Sequence, residues 1–119
     1  MGTTWTLPRL VGRSQALALA LLGDAIDARE AERIGLIWKC VPDAELMKQA
    51  LVIAERLAKG PTLAFHRTRT MFDKSWTNTF QHQVDEELKT QEFLANSPDY
   101  QIGVKAFRTK TVLPFTGKL

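Results

Sequence analysis

Two histidines, His66 and His82, one cysteine, Cys40, and scattered carboxylates are the groups in this chain with the chemistry to move protons, attack carbonyls or hold a metal. Their spacing decides against most of that chemistry. No pair of His and Cys stands at metal-ligand spacing, so no metal site is predicted. Nucleophilic catalysis would need Ser or Cys with His and an acid, and nothing resembles a G-x-S-x-G elbow. Adjacent carboxylates are confined to Asp85-Glu86-Glu87 and to Glu30 with Glu32, and both sets read as solvated helix faces rather than acid/base pairs. His82 lies two residues after Phe80 and off its face; His66, beside Phe65, reads as a rim residue. Cys40 sits in an apolar run and reads as a buried small hydrophobe. With a single cysteine no disulfide can close within the chain, which fits a reducing, cytoplasmic setting.

Two stretches have the makings of an anion site. Gly2-Thr3-Thr4, at a helix start, can aim backbone N–H groups at a negative charge; the plainer reading is an ordinary helix start. Lys105, Arg108, Lys110 and Lys118, interleaved with Phe107 and Phe115, have the residue types to hold a phosphorylated, ring-bearing ligand by charge and stacking. Against this stands a basic surface around two core phenylalanines. The 119 residues are 45% apolar and 24% charged with a net charge of +3, an ordinary balance for a globular domain and too weakly basic to point to nucleic acid. Residues 13–37 offer two helices and a turn, but the second, Ala28-Arg29-Glu30-Ala31-Glu32-Arg33, would turn its acids toward phosphates. No apolar run approaches the length of a membrane span, and the first residues lack a signal peptide's basic start and apolar core. Neither nucleic acid nor membrane is a predicted partner.

The elements that position these groups are organised around residues 22–41. Gly23 can close a preceding helix in the left-handed conformation, Asp27 can cap the next with Glu30 completing a capping box, and Ile26 can pack on Ala31. Gly35 stops that short helix. Residues 36–41 are an apolar, partly β-branched run suited to a strand, ended by Pro42. Upstream, residues 3–11 form a short helix with Pro8 near its first turn, Gly12 breaks it, and Ser14 caps a helix over 15–22. That helix is Ala and Leu nearly all round and is expected to be buried on several sides. Downstream, Asp43 caps a helix over 44–59 whose Leu46, Ala50, Ile53, Ala54 and Leu57 form an apolar stripe, stopped by Gly60-Pro61. Further helices follow over 62–74, over 79–95 with Asn78 as cap, and from Ser97-Pro98-Asp99 to about 109. Residues 111–119 read as a tail.

The expected fold is therefore mainly α, with at most one short strand, 36–41. A lone strand needs a partner, either its copy in another chain or sequence not present here. The chain also begins in structured-looking sequence with no polar lead-in, and is expected to be a piece of something larger.

Gly2-Thr3-Thr4-Trp5-Thr6-Leu7-Pro8-Arg9-Leu10-Val11-Gly12, Leu22-Gly23, Ile26-Asp27-Ala28, Glu30-Ala31, Gly35-Leu36, Gly103-Val104-Lys105-Ala106-Phe107 and Phe115-Thr116-Gly117 occur in an order that resembles the C-terminal part of an enoyl-CoA hydratase/isomerase of the crotonase superfamily. Trp5, Trp38 and Ser97-Pro98-Asp99-Tyr100 are similar to the branch that isomerises the ring-epoxide of phenylacetyl-CoA in phenylacetate breakdown. The resemblance implies that residues 1–119 are the helical domain that builds a trimer or hexamer and closes the acyl pocket. The β/α spiral core, with the catalytic carboxylate and the oxyanion-hole donors that stabilise a thioester enolate, would lie upstream. It implies no catalytic residue in this chain and no cofactor beyond the acyl-CoA substrate. Gly2, Thr3 and Thr4 would edge the acyl pocket. Phe107 and Lys110 would reach the CoA of a neighbouring subunit, the ring near adenine and the ammonium near phosphate. Where the family carries an arginine beside that lysine, this chain has Thr111. The resemblance implies a fragment inactive by itself; the competing expectation is a helical self-association module whose uncovered apolar stripes, with or without exchanged helices, hold copies together.

Overall fold

A computed structural model describes residues 2–118. Among them are six helices and no strand: α1 (Thr3–Leu22), α2 (Ala28–Arg33), α3 (Asp43–Ala58), α4 (Thr62–Ser75), α5 (Phe80–Ala95) and α6 (Pro98–Thr109). The chain forms two compact units, divided between Leu46 and Met47.

In the first unit α1 is two helical legs joined at Gly12, whose φ of 78° and ψ of 159° only glycine adopts readily. The break is that one residue. Ser14 accordingly lies inside the second leg and is not its cap, and Pro8 stands in the second turn of the first leg, where it has no N–H to offer the Thr4 carbonyl. Gly23 ends the helix as expected, at φ 70°, with its N–H on the Leu19 carbonyl at 3.3 Å. Asp27 caps α2 by accepting the Glu30 N–H at 2.8 Å. Glu30 does not complete the box; its carboxylate takes both arms of the Arg33 guanidinium, at 2.6 and 2.5 Å.

The expected strand at 36–41 does not form, and the end of α2 shows why. Gly35, at φ 79°, reverses the chain so that its N–H meets the Glu32 carbonyl at 3.0 Å while the Leu36 N–H returns to Ala31 at 2.9 Å. This is the paired closure of a Schellman motif. The Ile37 N–H bonds Ala31 as well, at 3.2 Å. Two donors that a ladder would require are spent on the helix end. The Ala/Leu leg of α1 also departs from expectation: Ala16 is buried, but Leu17, Leu21 and Leu22 are exposed, Leu21 by 78%. A helix apolar all round needs neighbours on several sides, and this unit supplies cover for one. Cys40 is half-buried rather than buried, beside a shallow cleft with Arg29, Glu32 and Val41.

In α3 the apolar stripe is present but uncovered: Leu46, Ala50, Ala54 and Leu57 are exposed and Ile53 is half-buried. Asp43 is the first helical residue rather than the cap. At the corner before α4, glycine is required by space. The Phe65 ring lies over Gly60, so close that a Cβ there would overlap it. α4 and α5 run antiparallel, since their contacts pair rising with falling numbers. The Arg67 guanidinium lies 4.3 Å over the Phe93 ring, the Thr90 hydroxyl donates to the Met71 sulfur at 3.7 Å, and Lys74 meets Glu86 at 2.7 Å; the long Gln83 side chain also reaches the Met71 carbonyl, at 3.1 Å. Thr79, not Asn78, caps α5, its Oγ1 accepting the His82 N–H at 3.3 Å; Asn78 donates instead to Gln83. Ser97 caps α6 with Pro98 behind it, as the sequence predicts. His66 and His82 are both exposed.

A Cβ on Gly35 would stand in ordinary van der Waals contact, its nearest neighbour the Leu10 carbonyl oxygen 3.8 Å away. Gly35→Ala should therefore cost only the left-handed backbone penalty, about 1 kcal/mol, read as a lower urea midpoint with an unchanged slope.

Candidate functional site

The groups with binding chemistry fall at two places, one in each unit. In the first, Gly2 caps α1 at φ 96°, and its carbonyl accepts the N–H groups of Trp5 at 3.0 Å and Thr6 at 2.9 Å. The amides of Thr3 and Thr4 lie in the first turn, where a helix offers its own donors no internal acceptor. The break at Gly12 lets the two legs of α1 face each other across a cleft of about 300 Å³. Thr3 and Thr4 edge it, Leu7, Ala16 and Leu17 give it an apolar wall, and Arg13 also lines it.

The second place is the end of α6 and the segment after it. Lys110 takes φ 52° and ψ 36°, and among the described residues it is the non-glycine residue with positive φ. Its N–H and that of Thr111 both close on the Ala106 carbonyl, the latter at 3.2 Å. The helix thus ends in a left-handed cap, the Lys110 N–H making the bond of an αL motif, with lysine where glycine is usual. Phe107, one turn back, is 86% exposed, so it is no core residue, and Lys110 is exposed beside it. Phe115 goes the other way. It is half-buried, and its ring edge lies 3.8 Å from where a Cβ on Gly103 would stand. The two phenylalanines read together in the sequence thus differ in burial, one ring mostly open to solvent and one packed. Between α4, α6 and the tail lies an apolar cleft of about 460 Å³, walled by Leu63, Ala64, Leu94, Val104, Phe107 and Phe115, with Tyr100 and Arg108 also lining it.

Asp99 also lines that cleft, and the sequence does not disclose its role. Asp99 is 6% exposed, and its carboxylate accepts the Thr116 N–H at 2.6 Å, the Thr116 hydroxyl at 2.9 Å and the Gly117 N–H at 2.8 Å. Burial pushes its pKa up, and the hydrogen bonds from Thr116 and Gly117 outweigh burial, so the carboxyl lies below the usual aspartate range. A carboxylate held ionised and saturated with donors is a poor proton carrier near neutral pH. Its spacing from Thr116 carries no local signal; in sequence it reads only as an acid near the positive end of the α6 dipole. Among the described residues no group of three His, Cys, Asp or Glu side chains is arranged to hold a metal.

The sequence pattern of the enoyl-CoA hydratase/isomerase family matches residues 1–118, and the chain belongs to that family. The six helices are the helical region of its crotonase fold: a crystal structure of enoyl-CoA hydratase from Bacillus anthracis superposes with a TM-score of 0.88 at 28% identity, over 98% of this chain and 45% of that one. The 1,2-epoxyphenylacetyl-CoA isomerase of Escherichia coli is 40% identical over 117 residues, 98% of this chain and 45% of the relative. A trans-2-decenoyl-[acyl-carrier-protein] isomerase of Streptococcus mutans is 31% identical over 98% of this chain and 44% of its own length. The chain thus spans less than half the length of the curated relatives it matches.

Asp99 gives the second unit a defined acid response. Above the ordinary aspartate pKa the carboxylate is charged both folded and unfolded, and its full contribution is present. As pH falls through that value the unfolded chain gains the proton first, and the contribution is gone once pH passes the lowered folded value. Stability should thus fall below about pH 4. Asp99→Asn should flatten that part of the profile, measured as urea midpoints from neutral pH downward, while losing about 3 kcal/mol at neutral pH.

Proposed function

We propose that this chain is the C-terminal helical part of an acyl-CoA hydratase/isomerase that works through a thioester enolate, and that it is inactive by itself. The observation that carries this reading is the family match along the whole chain against a span of about 45% of the relatives' length. The state of Asp99 supports it, because the buried carboxylate among the described residues is committed to the tail rather than poised for proton transfer. On this reading the acid/base carboxylate and the oxyanion donors come from the rest of the fold. Thr3 and Thr4 edge the acyl pocket, with the Gly2 cap setting their first turn. Phe107 and Lys110 serve the CoA of a neighbouring subunit in a trimer or hexamer, the ring against adenine and the ammonium on phosphate. The phenylacetyl-CoA ring-epoxide is the substrate favoured by the 40% identity to the Escherichia coli isomerase. The single cysteine, which closes no disulfide within the chain, supports a cytoplasmic setting. Among the described residues no helix is long and apolar enough to cross a membrane.

Incubated with a short trans-2-enoyl-CoA, the purified chain should leave the absorbance of the conjugated thioester unchanged above the buffer rate. Co-expression with the amino-terminal portion of the Escherichia coli relative should restore turnover. Hydration or isomerisation by the chain alone would overturn the proposal.

A second reading, a helical self-association module, draws on the uncovered Leu21, Leu22, Trp38 and Phe80, each at least 71% exposed. Sedimentation showing a monomer at every concentration would remove it.

A further inference from the structure

Residues 112–118 have no helix or strand, yet their burial alternates. Leu113, Phe115 and Gly117 are half-buried, while Val112, Pro114, Thr116 and Lys118 are exposed. A two-residue period is the mark of an extended segment lying with one face on a support. The support is α6. Phe115 rests against Gly103, and Thr116 reaches Asp99 at the helix start, so the segment runs back along the helix it has just left.

The lengths leave little slack. From Asp99 to Lys110 the helix rises about 16 Å at 1.5 Å per residue. The return from Lys110 to Thr116 covers at most about 20 Å when fully extended. Most of that reach is used in retracing the helix, and the remainder in stepping off its axis. The reversal has to be made at one residue, and Lys110 makes it in the left-handed conformation that a side chain disfavours. Among the described residues, the hydrogen bonds that leave segment 112–118 are three, and Asp99 accepts all of them. Gly117 adds packing: at φ 69° it lies on Thr62, the first residue of α4, where a Cβ would meet the hydroxyl.

From this we infer that residues 110–118 are a taut strap with Asp99 as its clasp, and that the clasp is the positioning residue for both ends of the strap's work: it holds Lys110 in its turn and Phe115 in the cleft. When the clasp opens, Lys110 relaxes out of the left-handed region, its ammonium loses a fixed direction, and Phe115 leaves an apolar groove walled by Leu63, Ala64, Leu94 and Val104. The inference stands whether or not Lys110 meets a coenzyme.

The test compares the wild-type chain with Asp99→Asn and with Thr116→Val, which keeps the carboxylate and removes one donor. In the wild type the amides of Thr116 and Gly117 should be protected from hydrogen exchange, and the amide–Hα coupling of Lys110 should report a fixed positive φ. In Thr116→Val, tryptic cleavage after Lys110 should speed up roughly tenfold, the worth of one bond to a charged acceptor, and in Asp99→Asn by more. Binding of an apolar fluorescent dye should rise in the same order, with helical circular dichroism unchanged. Should Asp99→Asn lose its helical signal, Thr116→Val decides by the same readouts. Unprotected strap amides in the wild type, or a cleavage rate and Lys110 coupling unmoved in a folded variant, would overturn the inference.

Discussion

A carboxylate withdrawn from water must be matched by donors, and Asp99 finds its donors on two consecutive residues at the far end of the chain. Much of the second unit's closure follows from that match. Thr116 and Gly117 are brought to the start of α6, Gly117 is set on the start of α4, and Phe115 is carried to Gly103. Two helix starts and a terminal segment meet where burial alone would not hold them. α4 and α5 are otherwise joined by polar contacts along one seam, Lys74 with Glu86 and Gln83 with the Met71 carbonyl.

The apolar faces tell a different story from the polar contacts. Asp27, Thr79 and Ser97 cap their helices locally, but the side chains that would normally make a core are in large part uncovered. Among the described residues the buried apolar ones are Ala16 and Ala31, and both are small. Burying apolar area is the main force that holds domains together, and here little of it is used within the chain. That agrees with a solved relative more than twice as long, the Bacillus anthracis hydratase, over which the same helices superpose.

Much of the fold was legible in the sequence because its signals are local. Gly23 and Gly35 at left-handed positions, Asp27 and Ser97 as caps, and Pro98 behind Ser97 act over a few residues and survive any tertiary context. The errors are of two kinds. Where two local signals competed, as at 36–41, the glycine reversal claimed the donors that β propensity would have used. Where a residue's partner is distant, as with Asp99 and Thr116, periodicity has nothing to say, because the pairing depends on the chain turning back at Lys110. Of the candidate site, the ordered motifs nominate Phe107 and Lys110 by resemblance alone. That Phe107 faces water while Phe115 is tucked away was not legible, since both are aromatic residues in the same basic stretch.

Pro114 sits in the middle of the extended segment, on its outward-facing side. An extended backbone along a surface is an invitation to another strand, from a copy of the same chain or from an unfolded neighbour. Proline offers no N–H at that point, and Thr116 and Gly117 have already given theirs away, so an incoming strand would find gaps in any ladder it tried to build. The segment can stay stretched in the open without serving as a template for aggregation.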